Sequence, residues 1–98
     1  MPERFIYKYQ IEPSKIDRET KTISFEVPSD SNFLSIKIVN EKAYIYILCN
    51  NSYTLTKRTF KIVTTGEKFE LTENHMYRGT FTITRGLNTD LVFHVFEE

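Results

Sequence analysis

Ala43-Tyr44-Ile45-Tyr46-Ile47-Leu48-Cys49 is the stretch on which the fold turns. Residues at every second position share one side of an extended chain. Here Ala43, Ile45, Ile47 and Cys49 fall on one side and Tyr44, Tyr46 and Leu48 on the other, so neither side is polar. Aromatic and β-branched residues favour a strand, and a strand apolar on both faces belongs in the middle of a sheet with both faces covered. The alternative is that one face meets a partner subunit.

The chain on either side continues the pattern. Upstream, Leu34, Ile36 and Ile38 alternate with Ser35, Lys37 and Val39, and the tight connection Asn40-Glu41-Lys42 predicts a hairpin into the central strand. Further back, Ile23, Phe25 and Val27 form a strand ending at Pro28, with Ser29-Asp30-Ser31-Asn32 as turn chemistry. The opening alternation is Phe5, Tyr7, Tyr9 and Ile11, broken by Pro13 and by the polar run Ser14 to Lys21, which reads as a loop in preference to a helical turn. Downstream, Asn50-Asn51-Ser52 makes a polar turn, and Leu55 to Val63 sets Phe60 and Ile62 opposite Lys57, Thr59 and Lys61, ending near Thr64-Thr65-Gly66. Glu67 to Met76 is irregular and reads as a loop holding at most a short strand. Tyr77, Gly79, Phe81 and Ile83 then alternate with Arg78, Thr80, Thr82 and Thr84, and Arg85-Gly86-Leu87-Asn88 turns into a last strand, Leu91 to Phe96. About seven short strands without a long helix predict an all-β chain: one domain over residues 1–98, a compact antiparallel β-sandwich or a partly open barrel.

Composition narrows the function. Thirteen Lys and Arg balance thirteen Asp and Glu, so the overall field gives no drive toward nonspecific nucleic acid or anionic membrane, and any anion site must be local. Cys49 stands alone and cannot form an intramolecular disulfide, which fits a reducing cytoplasm. No apolar run is long enough for a signal sequence or a membrane span, so the expected location is cytoplasmic.

The chemistry of catalysis is missing. Cys49 lies in phase with Ile45 and Ile47 and reads as a small core residue; His75 reads as a solvated loop side chain; His94, between Phe93 and Val95, belongs on the outer sheet face or is a satisfied, partly buried imidazole. The carboxylate pairs Asp17 and Glu19, Glu70 and Glu73, and Glu97 and Glu98 read as solvated. Two distant histidines and one cysteine make no ligand set, so no metal is expected, and no glycine pattern calls for a dinucleotide or other cofactor. The expectation is a protein that is not an enzyme.

One segment offers binding chemistry. From Lys57 to Lys68, hydroxyls and backbone N–H groups at a Gly-containing turn, beside cations, can cradle phosphate. Arg58 and Lys61 would neutralise the phosphate, Thr64, Thr65 and Gly66 would hydrogen-bond it, Lys68 would add charge, and Tyr77 would stack. Against this stands the plainer reading of a basic strand face and an ordinary turn. Arg58 and Lys61 also fall on opposite faces of an unbroken strand. Tyr44, Tyr46, Tyr53 and Tyr77 are either base-stacking groups or cross-strand packing partners.

The series Ile6-Tyr7-Lys8-Tyr9, Val27-Pro28 before Phe33-Leu34-Ser35-Ile36, Arg58-Thr59-Phe60-Lys61-Ile62-Val63-Thr64-Thr65-Gly66, Tyr77-Arg78-Gly79-Thr80-Phe81 and Phe93-His94-Val95-Phe96-Glu97 resembles an uncharacterised family of small phage and prophage all-β domains, over nearly the whole chain. Where that family has Trp in its fourth strand and before the closing His-Val-Phe, this chain has Tyr44 or Tyr46 and Phe93; where it has a Gly-Thr-Gly-His turn, this chain has Thr64-Thr65-Gly66-Glu67. The resemblance implies a phage-type origin and no assigned enzymatic activity. The expected function is therefore non-catalytic binding: a homo-oligomer countering host defence by sequestering a nucleotide-like immune signal. The alternatives are a protein–protein inhibitor of a host factor and a virion or assembly component. No sequence-specific nucleic acid and no membrane are expected as partners.

Overall fold

The computed structural model describes residues 3–51, 54–84, 86–87 and 89–98. It contains seven strands: β1 (Arg4–Gln10), β2 (Thr22–Pro28), β3 (Asn32–Val39), β4 (Lys42–Asn50), β5 (Leu55–Thr64), β6 (Met76–Thr84) and β7 (Asp90–Glu97), with one 3-10 turn at Pro13–Lys15. They form two antiparallel sheets, of order β1-β4-β3 and β2-β5-β7-β6, not closed into a barrel. This settles the choice between the two expected architectures in favour of the sandwich. Ser52 and Tyr53, expected in a turn and as a stacking group, and Arg85 and Asn88 of the last turn lie outside the described residues.

The inner faces meet on Ile45, Ile47 and Cys49 of β4, Ile23 and Val27 of β2, Phe60 and Ile62 of β5, Phe81 of β6 and Val95 of β7. Ala43, Ile45, Ile47 and Cys49 are all at most 1% exposed, as the central-strand reading requires. The other face of β4 departs from it. Tyr44, Tyr46 and Leu48 are only half-buried, and among the described residues no second layer covers them.

Turns follow the residues. Asn40 and Glu41 both take positive φ (50° and 65°), the conformation that lets a two-residue hairpin match the twist of its strands. Two β-bulges change which side chains face the core. One between Phe33 and Ser35 turns Phe33 and Ile36 inward and leaves Leu34 exposed, so the expected Leu34, Ile36, Ile38 face does not form. The other, between Tyr77 and Gly79, puts Tyr77 opposite Phe96 on the outer face while Gly79 stays opposite Val95 on the inner one. An extra residue in one strand reverses the phase, which simple alternation cannot anticipate.

Where β3 crosses β6, Gly79 has φ 147° and a Cβ there would sit 3.4 Å from Ile36 Cδ1. The backbone conformation calls for glycine, and a Cβ would only just touch Ile36. Segment 65–75 contains no strand and folds back over the outer face of β5 and β7, with Phe69 against Phe96 at 5.6 Å. Val63, on that face, is 1% exposed.

Candidate functional site

The seven residues expected to hold an anion do not converge. Arg58 points inward between the sheets, where Nε and Nη2 donate to the two oxygens of Glu97 at 2.6 and 2.7 Å and Nη1 donates to the Ser31 backbone carbonyl and hydroxyl. Arg78 joins the same carboxylate at 2.8 Å and lies over the Phe33 ring. The guanidinium expected to bind ligand is thus spent on a structural ion triad, and Glu97, expected to be solvated, is 7% exposed. Burial alone would push the Glu97 carboxyl up, but the two guanidinium groups outweigh it and hold the acid below its ordinary range.

The turn expected to cradle phosphate has its Thr64 donors taken from within the chain. Gly66 takes φ 90° in a turn closed by the Glu67 N–H on the Thr64 carbonyl. The Thr64 N–H and hydroxyl both donate to Glu67 Oε1, while Lys21 Nζ bonds Glu67 Oε2 at 2.8 Å. Those bonds from Lys21 and Thr64 lower the Glu67 pKa. A carboxylate of the chain therefore occupies two of the donors expected to meet phosphate, the Thr64 N–H and hydroxyl.

Lys61, Thr65 and Tyr77 do share a face, the outer side of the four-stranded sheet, but each is engaged. Lys61 Nζ donates to the Glu70 carbonyl at 2.9 Å. Thr65 Oγ1 meets His94 Nε2 at 2.7 Å, Thr80 Oγ1 meets His94 Nδ1 at 3.0 Å, and the Tyr77 hydroxyl bonds Thr80. This row of hydroxyls around one imidazole makes His94 a satisfied outer-face side chain. Lys68 is exposed and lines an open, mixed-charge cleft of about 430 Å³ with Lys21, Lys61 and three glutamates. His75 departs from its solvated reading: its side chain is 8% exposed, Nδ1 accepts the Thr72 N–H, and Nε2 lies 3.6 Å from Glu98. Cys49 is fully buried, and burial raises its pKa, so the thiol stays protonated and unreactive in the fold.

The uncommitted chemistry lies on the opposite side of the molecule, the outer face of the three-stranded sheet. Pairing register places Arg4, Ile6, Lys8 and Gln10 of β1 beside Asn50, Leu48, Tyr46 and Tyr44 of β4. From β3 the same face receives Ser35 beside Tyr46, Lys37 beside Tyr44, and Val39 beside Lys42. Arg4, Lys8, Lys37 and Lys42 are four cations, all exposed, and no strand position on this face carries a carboxylate. The two tyrosines stand on successive outward positions of the central strand, with Lys8 Nζ 4.6 Å from the Tyr44 ring centroid. Ile6 and Leu34, 60% and 45% exposed, line an open groove of about 410 Å³ with Tyr46. The signal was present in the sequence as Lys8, Lys37, Tyr44 and Tyr46, but only the register shows that they share a face.

Fold and faces together define a two-sheet antiparallel β-protein with a structural ion triad inside and a basic, tyrosine-bearing outer face. The chain belongs to a domain family of unknown function, DUF7352, whose model matches residues 2–98. No curated protein and no solved structure matches it. Among the described residues, no helix is long and apolar enough to cross a membrane.

Proposed function

We propose that this is a non-catalytic, phage-type binding protein that takes a nucleotide-like, phosphate-bearing ligand on the outer face of its three-stranded sheet. The observation that carries the reading is the co-location of two half-exposed tyrosines with four cations and no opposing carboxylate. Aromatic rings on a sheet are stacking platforms that any base can use, and unpaired Lys and Arg beside them neutralise phosphate. The turn at Thr64 and Gly66 is set aside as the ligand site because Glu67 holds the Thr64 N–H and hydroxyl. In a phage setting such a protein would counter host defence in the cytoplasm by withholding a nucleotide signal.

A melting-temperature screen against mono-, di- and cyclic nucleotides tests this. A ligand-dependent rise that is lost in Tyr46→Ala and in Lys8→Glu with Lys37→Glu, but kept in Thr65→Ala, supports the assignment. A flat response to every nucleotide and oligonucleotide refutes it. A second reading, inhibition of a host protein, is favoured by the aliphatic groove of Ile6 and Leu34, since exposed apolar side chains suit a protein contact. Its sign would be a partner released by Ile6→Asp with nucleotide absent throughout.

A further inference from the structure

Resting on that reading, we infer that the ligand is a single-stranded nucleic acid segment laid along β4, and not a lone nucleotide. The span of the cations requires more than one nucleotide. Arg4 pairs with Asn50 at one end of β4, and Lys42 begins the strand at the other. At a rise of about 3.3 Å per residue, the eight steps between positions 42 and 50 separate the outermost cations by roughly 26 Å. One nucleotide reaches a single pair of these charges; a strand of several nucleotides reaches them all. Between the ends, Lys8 pairs with Tyr46 and Lys37 with Tyr44, and Lys8 Nζ reaches over the Tyr44 ring, so both rings have a cation within one strand spacing and Tyr46 keeps the freer face.

The two rings sit two residues apart on the same face, about 6.6 Å along the strand. That separation suits an extended single strand whose bases stack on protein rings instead of on each other, whereas a duplex keeps its bases enclosed. Asn32, Ser35 and Gln10 supply neutral hydrogen-bonding groups between the charges without setting a fixed pattern of base recognition, while the Asn50 amide is spent on the Asp30 carbonyl. Binding is therefore tolerant of sequence, consistent with a site read by stacking and charge.

Three features limit the alternatives. A second copy of the chain would set four cations against four cations, so like charges oppose a symmetric dimer on this face. An acidic protein segment matches the charge but leaves the paired tyrosines without a specific role. The overall neutrality of the chain confines attraction to this one face, so affinity depends on the four cations and not on a global field.

Fluorescence anisotropy with labelled oligothymidylates of 2, 4, 8 and 12 nucleotides, with thymidine monophosphate and a 12-base-pair duplex as competitors, decides the matter. Affinity should climb with length until the face is covered and then level off, with the duplex competing poorly. The dependence of log K on log salt should have a slope of about −2 to −3, the value for three or four phosphate contacts on a single strand. Lys8→Glu with Lys37→Glu should lower affinity at least tenfold, and Tyr44→Leu with Tyr46→Leu should lower it while leaving the salt slope unchanged. Equal affinity per molecule for the monophosphate and the 12-mer overturns the strand proposal and leaves the nucleotide reading standing. Absence of binding by every nucleotide probe overturns both. Binding unaffected by either pair of substitutions, in proteins whose melting curves match the parent, overturns the placement on this face.

Discussion

Replacing Glu97 by Gln tests the ion triad directly. The substitution keeps the size and one hydrogen-bond acceptor and removes the only charge shared by Arg58 and Arg78, two guanidinium groups whose side chains are 13% and 23% exposed. Breaking a buried ion pair by removing one partner costs about 3–5 kcal/mol. The partial exposure of both arginines sets the expected loss near the lower end, about 3 kcal/mol. With a urea dependence of about 1–1.5 kcal/mol/M for a chain of this length, the unfolding midpoint should fall by roughly 2–3 M. Urea titration followed by circular dichroism measures it. The charge argument also predicts a rescue: Glu97→Leu combined with Arg58→Met and Arg78→Met should recover most of the loss, because apolar groups of similar volume replace buried ions at little cost. A midpoint shift under 0.5 M in Glu97→Gln, a threshold of about half a kcal/mol on the same scale, would show that water carries these charges and that the triad does not hold the sheets together. Acidification offers an independent check. The Glu97 carboxyl is held below its unfolded value, so its contribution is complete above the unfolded glutamate pKa of about 4.3 and disappears as pH falls through the lower folded value. Stability of the parent should therefore drop on acidification below that point, and Glu97→Gln should flatten the drop.

Other outcomes follow from single features. Gly79→Ala should destabilise by about 1–3 kcal/mol in chemical denaturation, since φ 147° is a strained region for any side chain. Cys49 should resist thiol reagents in the native protein and react only on unfolding; Cys49→Ser, which buries a hydroxyl in an apolar site, should cost about 1–3 kcal/mol. Glu67→Ala should remove the acceptor of the Thr64 N–H and lower stability by no more than about 1 kcal/mol, because Lys21 and Glu67 are partly solvated. It should also free the turn to hold inorganic phosphate, seen as a phosphate-dependent rise in melting temperature absent from the parent.

Strand positions and the core were legible because alternation is a direct reading of which side chains face the same way. Phe60, Ile62, Val95 and Cys49 are buried as their phase requires. Legibility stopped where phase breaks. Leu34 and Tyr77 change sides at β-bulges, and no local residue pattern announces an extra residue in a strand. It stopped again at long-range pairing. Arg58 and Glu97 are 39 positions apart, so the residues that look free in the sequence are each other's partners in the fold. At the turn expected to hold an anion, the Thr64 N–H and hydroxyl go to Glu67, three residues on, a local competitor that composition could not rank against a ligand. The basic face shows the reverse. Lys8, Lys37 and Lys42 are scattered through the chain, and pairing of β1 and β3 to β4 gathers them.

That gathering gives the molecule an orientation before it touches anything. The chain as a whole is neutral, so with Arg4, Lys8, Lys37 and Lys42 on one broad side the remainder carries four more acids than bases. Such a particle has almost no monopole but one basic side. It drifts little in a uniform field, and near a polyanion it presents the same side on every approach. The steering acts over about 10 Å at 0.1 M salt and collapses to about 3 Å at 1 M. A protein whose isoelectric point predicts indifference to an ion-exchange surface should be retained on a cation exchanger near pH 7, held there by one side alone.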